Sequence, residues 1–130
     1  MLGWVDDIEK ITDGNDDFRR VVFTGGHAQL VLMSLRPDEE IGWESHDHLD
    51  QFFRIEVGRA RVDLGTTADH VDESHQVEAD WAFIVPAGTW HNVTNVSEET
   101  VKLYTIYSPP EHPDGTVHAT KAEAEAAELH

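Results

Sequence analysis

The chain has 130 residues, enough for one domain with a sizeable core, and 39% hydrophobic content with four Trp argues against disorder. It has no cysteine, which excludes disulfides, thiolate catalysis, zinc-finger sites and Cys-ligated iron–sulfur clusters, and leaves His, carboxylate and amide groups as metal ligands. The net charge of −17 comes from 26 acids against 9 bases, so neither nucleic acid nor an anionic membrane surface is expected as a partner.

The elements follow in chain order. Residues 1–18 are expected to form a short helical or irregular lead, broken at Asp13-Gly14-Asn15-Asp16. The lead is acidic and lacks an apolar run of signal-peptide length, so a soluble, cytoplasmic protein is expected. Arg20–Thr24 and His27–Leu35 predict two strands around a Gly25-Gly26 turn, and Pro37–Glu40 a further turn. Ile41–His48 predicts a third strand that carries alternate polar residues, and Gln51–Glu56 and Arg59–Leu64 a hairpin about Gly58. Residues 65–77 are polar and predicted as loop, with one weak strand near His75-Gln76-Val77. Strands are predicted again over 81–85, through Asn92-Val93 and over Val101–Tyr107, where Ser108-Pro109-Pro110 ends the last one. His112–Val117 is predicted as loop, and Lys121–Leu129 as a helix on its Lys-Ala-Glu content. Many short strands, regular turns and one terminal helix indicate a sandwich or barrel in one domain over 1–130.

The most specific stretch is Pro86-Ala87-Gly88-Thr89-Trp90-His91, followed by Asn95. It reads as a strand, a tight turn, and a His early on the next strand, where its imidazole can point into a barrel and bind a metal. This P-x-G-x-x-H-x-x-x-N spacing resembles the second motif of the cupin superfamily, and departs from it only at Asp80, where Gly is usual. The stretches DQFFRIEVG at 50–58, VPAGTWHNV at 85–93 and LYTIYSPPEHPDGTVH at 103–118 carry a likeness to small single-domain cupins. The resemblance implies an all-β double-stranded β-helix, the cupin jelly roll, with the short C-terminal helix appended. It also implies one divalent metal ion, Fe, Mn, Ni, Co or Zn.

The first cupin motif, G-x5-H-x-H-x(3,4)-E-x6-G, places Gln51 at its acidic position when counted back from Gly58. Two registers remain upstream. One uses His46-Asp47-His48 and leaves one residue too few before Gln51. The other uses Glu44-Ser45-His46 and fits every spacing, with Asp38 in place of the turn Gly; Asp tolerates a left-handed turn better than most residues. The second register is preferred and gives Glu44, His46, Gln51 and His91 as ligands, with His48 a pocket residue or an alternate ligand. On a regular strand residues 44, 46 and 48 share one face. Glu44 or His48 is the expected proton carrier.

The resulting expectation is a small metalloenzyme of isomerase, lyase or dioxygenase type acting on a small oxygenated molecule. The alternative is a metal- or ligand-binding module without turnover. Cupins of this size commonly pair through sheet edges, so a homodimer is expected. His112 and His118 are expected at the surface, at best marking a lid or a dimer contact. Tyr104 and Tyr107 differ in parity, so only one can face inward. The Lys-poor, acid-rich composition further suggests a salt-loving source, for which the melting temperature should rise between low salt and molar KCl.

Overall fold

In the computed structural model of the protein, which describes residues 2–128, the chain folds into two antiparallel sheets. The elements are α1 (Ile8–Asp13), β1 (Arg19–Thr24), β2 (Gln29–Leu35), β3 (Asp50–Val57), β4 (Arg59–Gly65), β5 (Glu73–Glu78), β6 (Ala82–Val85), β7 (Trp90–Asn95), β8 (Val101–Ser108), β9 (Val117–His118) and α2 (Lys121–Glu128). One sheet has six strands in the order β6-β3-β8-β2-β1-β9, and the other three in the order β5-β4-β7. This is the expected all-β jelly roll with a short C-terminal helix. The predicted end of that helix, Leu129, lies outside the described residues, as does His130.

Alternation decides what each strand buries. On β3, Gln51, Phe53 and Ile55 point inward; on β8, Val101, Leu103, Thr105 and Tyr107 do. These two strands lie side by side in register, Gln51 opposite Tyr107 and Ile55 opposite Leu103. Met33 and Leu35 from β2 and Val93 from β7 complete a fully buried core with Phe53, Ile55 and Leu103. Phe53 stacks on Phe83 with ring centroids 4.6 Å apart. Burying a Phe side chain of this kind contributes roughly 2–3 kcal/mol from transfer out of water. The core thus sits between the sheets, and polar side chains on the same inward rows must lie at its margin or find partners within it.

Three local expectations need correction. Residues 41–48 do not form a regular strand. Gly42 takes φ 119° and donates its N–H to Asn92 Oδ1, so the segment bends and its backbone pairs with β7 through isolated bridges at Glu40 and Glu44 rather than along a ladder. Alternation fails after His46, because Asp47 and His48 form a turn. The polar stretch 65–77, expected as loop with one weak strand, contains most of β5, which pairs along β4 from Arg59↔Glu78 to Leu64↔Glu73. Its residues are exposed except Val77, so hydrophobic alternation gives almost no signal there. The tail of the predicted loop at 112–117 reaches β9, where Val117 and His118 pair with Arg20 and Arg19.

The two Asp residues that stand where the motifs usually have Gly behave as such turns require. Asp38 has φ 67° and Asp80 φ 74°. Their short polar side chains make the left-handed region accessible at modest cost.

Candidate metal centre

Glu44 and His91 are brought together by backbone pairing. The Glu44 N–H donates to the His91 carbonyl at 3.0 Å and the His91 N–H to the Glu44 carbonyl at 2.8 Å. Residues that exchange both bonds stand directly opposite each other with side chains on the same face. The neighbouring Trp43 faces the other way, stacked on Trp90 and packed on Gly65, where a Cβ would come within 2.2 Å of the His70 carbonyl oxygen. Two residues after Glu44, the His46 carbonyl accepts from Gly88 N–H at 2.8 Å, which docks the Pro86-x-Gly88 turn onto the irregular segment. Gly88 holds φ 84°, a conformation that favours glycine.

These constraints place Glu44, His46 and His91 so that one ligand atom of each lies within 4.8 Å of the others. Glu44 Oε1 is 3.4 Å from His46 Nε2 and 3.9 Å from His91 Nε2. The two imidazole centroids are 5.6 Å apart. His91 is buried, and its Nδ1 lies 3.2 Å from the Thr89 carbonyl oxygen. A carbonyl can only accept, so Nδ1 carries the proton and Nε2 presents its lone pair to the cluster. Gln51 is buried at 2% exposure and donates through Nε2 to Thr105 Oγ1 at 3.0 Å. That bond points the amide oxygen the other way.

The polar bookkeeping is what distinguishes this cluster. His46 Nε2, His91 Nε2 and Gln51 Oε1 are all buried without a hydrogen-bond partner. Buried polar atoms are nearly always paired, since leaving one unmet costs about 1–3 kcal/mol. Two imidazole nitrogens, one amide oxygen and one partly exposed carboxylate form a mixed N/O set that suits Fe(II), Mn(II), Ni(II), Co(II) or Zn(II). The donor set fits a divalent cation.

The protonation state of His91 agrees with that role. Glu44 is held below the usual carboxylate range: burial pushes it up, but the adjacent His46 imidazole and the charge of His91 outweigh this. His46 is raised by the Glu44 carboxylate beside it, and His91 is lowered by burial. His91 therefore stays neutral, as ligation requires.

His48 is exposed on the 47–48 turn and is not among the clustered groups. The expectation that 44, 46 and 48 share a face fails because the chain leaves the extended conformation after His46. Of the sequence-predicted residues, the fold gathers Glu44, His46 and His91, sets the Gln51 oxygen buried and unpaired, and leaves His48 in solvent.

A cupin-domain family model matches residues 31–107, more than half of the chain. The chain belongs to the cupin family. YrkC of Bacillus subtilis is 51% identical over 96% of this cupin and is spanned by it over 67% of its own length. L612 of Acanthamoeba polyphaga mimivirus is 40% identical over 93% of the chain and 74% of its own. The crystal structure of BH2720 from Bacillus halodurans is 50% identical and superposes with a TM-score of 0.93, covering 95% of this cupin and 93% of that chain.

Three further residues, Glu111, His112 and Tyr107, stand around the cluster. Glu111 Oε2 lies 3.7 Å from His46 Nδ1. His112 Nε2 lies 3.3 Å from the Tyr107 hydroxyl, and the rings meet edge to face at 5.1 Å. Both residues are pinned by Gln29, buried at 1% exposure, whose Oε1 accepts from the N–H groups of Glu111 and His112 and whose Nε2 donates to the His112 carbonyl. Burial drives the Tyr107 phenol well up and pushes His112 down to about 4, so this hydrogen-bonded pair is neutral near pH 7. His112 was expected at the surface; the overlooked signal was Gln29, a buried amide on a mostly apolar strand, which holds the loop inward.

Proposed function

We propose that this cupin is a small metalloenzyme that holds one divalent ion on Glu44, His46, Gln51 and His91 and acts on a small oxygenated molecule. The observation that carries the reading is the pair of buried, unpaired nitrogens, His46 Nε2 and His91 Nε2, gathered with the Glu44 carboxylate, while the buried Gln51 Oε1 is likewise unpaired. When bound, the metal supplies Lewis acidity toward the substrate's oxygen atoms and stabilises developing negative charge. The remaining roles belong to side chains. His91 is kept in one tautomer by Thr89, and Gln51 is oriented by Thr105. The Tyr107 hydroxyl stays protonated and can donate a hydrogen bond or a proton. Glu44 and Glu111 flank His46 and are the carboxylates placed to accept one. Turnover is favoured over passive binding because proton-moving groups stand beside the ligand set. Isomerase, lyase and dioxygenase chemistry all fit such a site.

Elemental analysis of protein purified without chelator tests the reading, followed by a panel of small oxygenated substrates. One equivalent of a first-row divalent metal per chain, lost in His91→Ala, is expected; metal-free protein that takes up none on titration overturns it. The assembly we propose is a homodimer through a sheet edge, where Trp81 and Ile84 expose 50% and 64% of their surface at β6. Light scattering at micromolar concentration reads this directly. No helix among the described residues is long and apolar enough to cross a membrane.

A further inference from the structure

Arg19 opens β1 with its side chain inward and is buried at 5% exposure, in a protein of net charge −17. No carboxylate among the described residues forms a salt bridge with it, and its Nε has no hydrogen-bond partner. Its contacts are the Phe18 ring, 5.4 Å from Cζ, and His118 Nδ1, 3.5 Å from one terminal nitrogen. A buried, unpaired guanidinium is expensive, and stability alone gives no reason to keep it.

The segment that follows β8 links this guanidinium to the metal-type cluster. It leaves Tyr107, places Glu111 beside His46 and His112 beside the Tyr107 hydroxyl, and returns along β1 to set His118 on Arg19. Arg19 on β1 and Tyr107 on β8 are both inward residues of the six-stranded sheet, and the His46 ring lies 6.0 Å from the Tyr107 ring. The guanidinium and the cluster therefore face one interior.

We propose that Arg19 is an anion anchor, and that the ligand of this site is a small carboxylic acid whose carboxylate docks on the guanidinium while its other oxygens face Glu44, His46 and His91. A planar guanidinium matches a carboxylate in a two-bond fork, with Nε and a terminal nitrogen as the donors. Glu44 and Glu111 already bring negative charge to the site, which favours a monoanionic carboxylate over a phosphate dianion. The anchor itself stands on Arg19, while the placement of the ligand's other oxygens rests on the metal reading above.

The test compares wild type, Arg19→Gln and Arg19→Met, each loaded with Co(II), by calorimetric titration with glycolate, pyruvate, inorganic phosphate and neutral acetamide. Wild type is expected to bind glycolate or pyruvate saturably and acetamide not at all. Both variants are expected to keep one Co(II) per chain while their carboxylate affinity falls by about tenfold or more. Arg19→Met should also melt no lower than wild type without ligand, because it removes an unpaired buried charge. Carboxylate affinity unchanged in the variants, no carboxylate binding by wild type, or Arg19-dependent binding of phosphate alone would each overturn the assignment. Wild type that takes up no cobalt but binds glycolate through Arg19 sinks the metal reading and leaves the anchor standing.

Discussion

Asn95 and Gln51 are both buried amides on inward-facing rows, at 1% and 2% exposure, and they stand in opposite situations. Asn95 is closed. Its Nδ2 donates to the carbonyls of Leu35 and Glu99, and its Oδ1 accepts from the N–H and hydroxyl of Ser97. Gln51 is half open, with Nε2 on Thr105 and Oε1 on nothing. The first amide fastens the turn after β7 to the core. The second leaves a buried oxygen unpaired, as are the buried nitrogens of His46 and His91. Closed polar groups hold a fold together, whereas open ones clustered in one place mark where something else is to be held.

The difference can be broken most forcefully at His91. Replacing it with Ala should abolish tight metal binding, read as loss of bound metal after gel filtration, and leave the strands in place by circular dichroism. Next comes the amide pair. Asn95→Ala should cost about 3 kcal/mol of folding stability, since it strands buried backbone groups, and leave the metal stoichiometry unchanged. Gln51→Met should do the reverse: metal-free stability within about 1.5 kcal/mol of wild type, and metal affinity weaker by about tenfold or more. Denaturant melts with and without metal separate the two patterns. If both variants lose stability and neither loses metal, the distinction between closed and open amides fails.

A smaller effect concerns pH. His112 has its folded pKa depressed from 6.5 to about 4, mainly by burial. Its contribution is fully present above the unfolded value of 6.5 and is lost as pH falls through that value toward 4, where the unfolded chain takes a proton that the folded chain refuses. His46, raised by Glu44, works in the opposite sense and loses its contribution as pH rises through its folded pKa. Metal-free protein should therefore lose stability between pH 6.5 and 4, and His112→Gln should flatten that slope. The smallest expected effect is at His48. His48→Ala should change neither metal content nor melting temperature measurably, because the side chain is exposed on a turn.

Much of this was readable from residue spacing. The Pro86-x-Gly88 turn and His91 follow from a local pattern, and the count back from Gly58 reaches Glu44, which the fold gathers with His46 and His91, while Asp38 and Asp80 take left-handed φ where glycines are usual. What failed, failed for physical reasons. Period-2 reasoning carried a strand through His48, but Gly42 and the 47–48 turn break the alternation. β5 was nearly invisible because only Val77 is buried. Arg19 and His112 reach the interior through pairings across long sequence separations, Arg19 with His118 and Gln29 with the backbone of His112. No local pattern announces such contacts.

The central claim is that one cation sits among His46, Gln51, His91 and Glu44. Anomalous diffraction at the cobalt edge, from crystals grown with Co(II), tests it most directly. The expected result is a single strong peak bonded to His46 Nε2, His91 Nε2, Gln51 Oε1 and a Glu44 oxygen. Fully loaded protein with its peak elsewhere, or a peak that persists unchanged in His91→Ala, would contradict it.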